Sequence, residues 1–193
     1  MEAWEKRLVE TYPDSGFDRA VCFPLCGYGL RDIGGRAGEG YLPRGYDFLD
    51  GNRHRGHPAH DIFIRDVNRD GLEDGSDRPV DVLAIADGVV LSTFREWRAS
   101  GEAGEIRGGN YVWLYHPGLR RFSYYAHLQE IFVGAGDRVG CRQKLASLGR
   151  TGRNARRPDS PTHLHLMVLR AQGMKPMDPY PILKTKRWQV PEE

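Results

Sequence analysis

A chain of 193 residues can bury one sizeable core but is too short for two full domains of ordinary size. Its 28 lysines and arginines against 26 aspartates and glutamates leave a formal charge of +2, a balance that requires no nucleic-acid partner. No run of 18 apolar residues is present, so no membrane span is expected, and the charged opening "MEAWEKRLVE" shows no secretory signal.

With 24 glycines and 12 prolines, the composition favours turns and short strands over long helices. Residues 3–11 predict a short helix, ended by the turn "TYPDSG". Residues 20–50 are loop-rich, with aromatics spread between glycines, and read as an extension wrapped on the main domain. Strands are predicted at 61–65, 80–86, 88–94, 110–116, 121–127, 145–149 and 163–169, separated by turn signals. Asp87-Gly88 inside "VDVLAIADGVVLSTF" signals a hairpin, and "YHPGLRRFSYYAHL" a second one turning at Pro117-Gly118. The proline-punctuated tail "KPMDPYPILKTKRWQVPEE" is expected to pack loosely. The fold class is mostly β, an antiparallel sheet domain spanning 51–185, with a loop-rich N-terminal extension over 1–50 and a tail over 186–193. The three cysteines, at 22, 26 and 141, fit neither a disulfide framework nor a zinc knuckle and read as packed or partly oxidised thiols.

The stretch "GHPAHDIF" carries the first chemical signal. Pro58 argues against a helix, and on a strand side chains alternate, so His57, Ala59 and Asp61 point one way and His60 the other. An imidazole and a carboxylate on one face suit zinc, but a site needs more ligands. "THLHLMVL" supplies His163 and His165 two residues apart, hence on one face, and His127 ends "FSYYAHL". Two imidazoles on one face of an otherwise apolar strand cost desolvation unless they are partnered. His54 and His116 read as surface or turn residues, and His60 as a packing residue or a support to the site.

These motifs, in this order, resemble the LytM/lysostaphin-type zinc endopeptidases, which hydrolyse peptidoglycan. H-x-x-x-D at His57 and Asp61, "YYAHL" with His127 and "HLH" with His163 and His165 carry the likeness. "ADGVV", "GNYVWLYH" and "VGAGDRVGCRQKLASLGRTGR" extend it over roughly 53–170. Ala59 and His60 stand where the family has glycine and an aliphatic residue, and the loop at 66–78 is longer than usual. The resemblance implies an antiparallel metallopeptidase core holding one zinc per chain on His57, Asp61 and His165, with His127 and His163 as the catalytic pair. Three protein ligands leave a position for water, whose pKa zinc lowers towards about 7. Without an H-E-x-x-H glutamate, one histidine takes the proton while the other stabilises the oxyanion or protonates the leaving amine. The implied substrate is the peptide part of bacterial peptidoglycan, met outside the cytoplasm by a secreted or periplasmic monomer. The alternative is a cell-wall-binding or hydrolase-activating module on the same scaffold.

Three further features are not absorbed by the resemblance. Asn52 stands just ahead of His57 as a fourth-ligand candidate. Arg150, Arg153, Arg156 and Arg157 could line the groove and meet wall carboxylates, or form a solvated loop. The segment "DVNRDGLEDGSD" places Asp66, Asn68, Asp70, Gly71, Asp74 and Asp77 at positions 1, 3, 5, 6, 9 and 12 of a calcium-loop pattern. The bland reading of that segment is an acidic turn.

Overall fold

A computed structural model describes residues 3–36, 38–48, 55–100, 104 and 106–185. Helix α1 (Ala3–Thr11) opens the chain, and nine strands follow: β1 (Ala59–Phe63), β2 (Asp81–Leu83), β3 (Gly88–Phe94), β4 (Asn110–His116), β5 (Arg121–Ile131), β6 (Arg138–Val139), β7 (Lys144–Leu148), β8 (His163–Arg170) and β9 (Pro176–Met177). Helix α2 (Pro179–Thr185) closes the described chain. All strand pairs are antiparallel, in the order β1-β8-β5-β4-β3-β6, with β2 on β7, β7 on β5, and β9 on β8. The expected mostly β, antiparallel class is the one observed.

Strand β5 organises the sheet. Along one edge it pairs with β4. Along the other it pairs with β8 as far as Ala126 opposite His165, and from Leu128 onward with β7. The change of partner falls on His127, whose φ of 67° lies in the left-handed region. One face of the sheet buries Val82, Val112, Leu114, Tyr125, Leu148, Leu164 and Leu166 in the main core. The other face carries a smaller cluster around Tyr115, Phe122, Met167 and Leu169, partly covered by Leu8 and Tyr12 of the N-terminal segment.

Several expectations are corrected. Asp87-Gly88 is not a hairpin turn, because β2 and β3 pair with other strands. Gly88 instead permits a close crossing, since a Cβ there would lie 2.6 Å from the Tyr115 carbonyl oxygen and 2.8 Å from His116 Nδ1. The Asp87 carboxylate accepts from the amides of Asp18 and Cys141. The cysteines follow the partly oxidised reading, with Cys22 and Cys141 joined in a disulfide and Cys26 free and exposed. Over its described part, 176–185, the tail does not pack loosely: α2 buries Ile182 and Leu183, and Asp178 accepts from the Tyr180 amide at its start. Aspartate followed by proline is a helix-start signal that a local reading can find. His116 is wholly buried rather than a surface residue, bonded to the Asp87 carbonyl and to Ser123.

The extension is woven into the domain. Val21, Leu25 and Ile33 belong to the main core, and single bridges join Leu25 to Val82, Ile33 to Ile62 and Leu42 to His57. The boundary expected at residue 50, the tail 186–193, and Asn52 and His54 lie outside the described residues.

Candidate active site

Asp61 on β1 and His165 on β8 face each other across the sheet, so their side chains share a face. His163 follows the same alternation two residues earlier. His57 precedes β1 and is clamped by two backbone hydrogen bonds with Leu42. His60 points to the opposite side, where it is fully buried and its Nε2 lies 2.7 Å from Asp178 Oδ1.

His127 arrives differently. Regular alternation along β5 would send it to the core face with Tyr125. Its left-handed backbone breaks the alternation and turns the ring to the site, 4.9 Å from the His163 ring and 5.9 Å from that of His165. Glycines make room for this: Gly152 has φ 103°, and a Cβ on it would lie 2.4 Å from the Arg107 carbonyl oxygen.

The donor atoms converge. His57 Nε2 is 3.2 Å from Asp61 Oδ1 and 3.2 Å from His165 Nδ1, and the last two atoms are 3.0 Å apart. A tetrahedral zinc ion holds its donors about 3.4 Å from one another, so the triangle is of the right size. Among the described residues these three form the one group able to hold a metal ion. His57 Nδ1 donates to the Gly40 carbonyl at 2.9 Å, so Nε2, which faces Asp61, is the lone pair of the neutral ring and a second donor in the charged one. Burial opposes the charged form of Asp61, but hydrogen bonds from His165 and His57 hold its carboxyl well below the usual range. Burial likewise opposes a charged His57, and Asp61 outweighs it and raises that imidazole. Both shifts express a cluster that is stabilised by positive charge, so the residues fit a divalent cation.

His127 Nδ1 donates to the Thr151 carbonyl at 2.8 Å, and His163 Nδ1 to the Pro161 carbonyl at 2.7 Å. In its neutral form each therefore presents Nε2 to the site as the acceptor. Burial, reinforced by His163 and His165, pushes His127 down to about 3, so it is neutral at physiological pH. The histidines open onto a cleft of about 640 Å³, walled by Tyr46, Tyr111, Trp113 and Tyr124 on one side and by Asn154 and Ser160 on another.

Residues that sequence reasoning assigned elsewhere are placed as follows. The calcium-pattern loop turns its carboxylates onto its own backbone. Asp66 accepts from the amides of Asp70 and Gly71, Asp70 from that of Leu72, and Asp74 from that of Val67. Asp66 also accepts from the Thr162 hydroxyl and so ties this loop to the start of β8. Arg150 is spent on Thr162 and on the carbonyls of Ser160 and Arg157, Arg156 reaches the Ala99 carbonyl, and Arg157 pairs with Asp159. None of Arg150, Arg153, Arg156 and Arg157 is among the described residues that line the cleft, and Arg107 stands there instead. Gly40, Tyr46, Thr151 and Pro161 also serve the site, and no local motif marks them.

The sequence profile described as Peptidase family M23 matches residues 69–179, more than half of the chain. The match includes His127, His163 and His165 and begins after His57 and Asp61. The catalytic domain of the antimicrobial peptidase lysostaphin from Staphylococcus simulans is 26% identical, with a TM-score of 0.52 over 80% of this chain and 95% of that domain. A protein from Ruminococcus gnavus named as a putative glycyl-glycine endopeptidase LytM is 22% identical, with a TM-score of 0.57 over 96% of this chain and 73% of that one. A zinc-containing peptidase from Vibrio cholerae is 23% identical, with a TM-score of 0.56 over 90% of this chain, which spans 41% of that protein's length. No curated protein matches the chain.

Proposed function

Because the chain belongs to Peptidase family M23, we propose that it is a zinc-dependent endopeptidase that hydrolyses peptide bonds in bacterial peptidoglycan, in stem peptides or cross-bridges. The observation that carries this reading is the convergence of His57 Nε2, Asp61 Oδ1 and His165 Nδ1 beside two further histidines in an open cleft. His57, Asp61 and His165 would hold the ion. Zinc, when bound, supplies Lewis acidity at the reacting carbonyl and its attacking water.

The chain's own groups do the rest. In the neutral ring, donation through Nδ1 to a backbone carbonyl makes Nε2 the basic atom of His127 and of His163. Either atom can take a proton from water and return it to the leaving amine. The imidazolium that forms at His163 is steadied by Asp61 Oδ2, 3.7 Å from His163 Nε2. The aromatic wall of Tyr111, Trp113 and Tyr124 gives the substrate backbone a rigid surface to lie on. The disulfide between Cys22 and Cys141 supports a secreted or periplasmic location, where such bonds persist.

Digestion of purified peptidoglycan from several wall types, with mass spectrometry of the released peptides, tests this reading. New peptide termini should appear with zinc and vanish with a chelator. Intact walls in the presence of zinc-loaded protein would favour the wall-binding or hydrolase-activating module.

A further inference from the structure

Arg107 holds a position that no sequence motif announces. Its backbone is fixed beside the catalytic candidates: its carbonyl packs over Gly152, and the next residue, Gly108, accepts the amide of His127 at 2.8 Å. Its side chain is exposed and lines the cleft. Among the described residues it is the one cationic side chain there, and Asp61 is the one acidic side chain. Asp61 is already committed to the histidines. Arg150, Arg156 and Arg157 are each tied to carbonyls or a carboxylate, whereas no described residue pairs with the Arg107 guanidinium. A divalent cation on the three ligands would exceed the single negative charge of Asp61, so the described residues of the cleft would present two separated positive centres and no free acid.

We infer that Arg107 is a specificity-determining residue, which selects peptides bearing a free carboxylate next to the scissile bond over neutral ones. A guanidinium fork matches a carboxylate in two parallel hydrogen bonds, which gives both orientation and discrimination against the amide. The substrate class is therefore an acidic peptide, such as a stem peptide carrying a side carboxylate, and not an uncharged glycine bridge. This inference rests on reading the cleft as a peptide-binding active site.

The test uses one peptide in two forms, with the flanking carboxylate free or converted to its primary amide. Each form is also made with the scissile amide N-methylated, so that binding is measured without cutting. The zinc-loaded parent, Arg107→Gln and Arg107→Lys are compared by kcat/KM and by calorimetric Kd, with the zinc content of each recorded. The parent should favour the carboxylate form about 10- to 100-fold. Arg107→Gln should reduce that ratio below about threefold at full zinc content, and Arg107→Lys should restore part of it. Equal treatment of the two forms by the parent, an undiminished ratio in Arg107→Gln, or no binding of either form overturns the inference. Discrimination in binding through Arg107 without cleavage of either peptide sustains it and removes the peptidase reading instead.

Discussion

A Cβ placed on Gly152 would lie 2.9 Å from His127 Nδ1, the atom that donates to the Thr151 carbonyl. Gly152→Ala therefore has to move the ring or the loop, and at φ 103° alanine is strained as well. We expect peptide cleavage to fall at least tenfold, in line with the cost of misplacing a catalytic group. Zinc content should stay at about one per chain, because none of the three donor residues touches this contact. Full activity in the variant would show that the placement of His127 is not needed.

Removal of single side chains separates binding from chemistry. Alanine at His57, Asp61 or His165 should lose metal and activity together. Alanine at His127 or His163 should abolish turnover and leave the metal in place. Metal analysis of the five purified variants decides it, and zinc lost from His163→Ala but kept in His165→Ala would reverse the assignment on β8.

The extension packs against the His57 end of the donor triangle. A Cβ on Gly56 would lie 2.3 Å from the Pro43 carbonyl oxygen. Gly56→Ala should push residues 40–46 away and loosen the Gly40 carbonyl from His57 Nδ1. Outer partners of this kind are worth about 10- to 100-fold in metal affinity. Chelator competition should show a loss of that order, and unchanged affinity would mean that Gly40 does not orient His57.

His116 makes acid stability measurable. Burial pushes its imidazole from 6.5 down to about 4 in the folded chain. Between those two values the unfolded chain binds the extra proton, so stability must fall as pH drops from about 6.5 towards 4. Denaturant unfolding across that range should give a shallower pH slope for His116→Gln than for the parent. Equal slopes would place the acid sensitivity elsewhere.

Calcium would have to win Asp66 from two amides and a hydroxyl, and Asp74 from the Val67 amide. We therefore expect millimolar calcium to leave the unfolding midpoint of zinc-loaded protein unchanged. Asp66→Ala should lower it, by roughly 1–3 kcal/mol of stability, through the groups left unpaired. A clear rise with calcium that disappears in Asp70→Ala would establish the cation site instead.

Local alternation carried much of the site. It placed Asp61 with His57, His163 with His165, and His60 on the far side, because a two-residue period is all that those assignments require. It could not place His127, which reaches the cleft only by leaving that period. The strand ranges of β3 and β4 were legible from apolar runs between turns, whereas the partners of β2 and β3 were not, since Asp87-Gly88 looks like a turn and serves as a crossing. The Cys22–Cys141 bond joins residues 119 apart, beyond any local signal. The arginine run left two readings open, groove or loop, and the carbonyls and the hydroxyl that occupy Arg150 come from the loop's own folding, while the place of Arg107 depends on a cleft that only the assembled sheet defines.

Strand β8 lies between β1 and β5, and its last residue is 170. During synthesis, β1 emerges first among the strands and finds its neighbour in the sheet about a hundred residues later. A ribosome that stops after codon 131 and before codon 165 releases a chain whose β4–β5 hairpin can form but whose donor triangle lacks His165. The complete triangle thus exists only once translation has run almost to the end of the described chain. A cell making this protein would hold no half-made chain with a complete triangle, only an open strand edge that must be kept from aggregating while it waits.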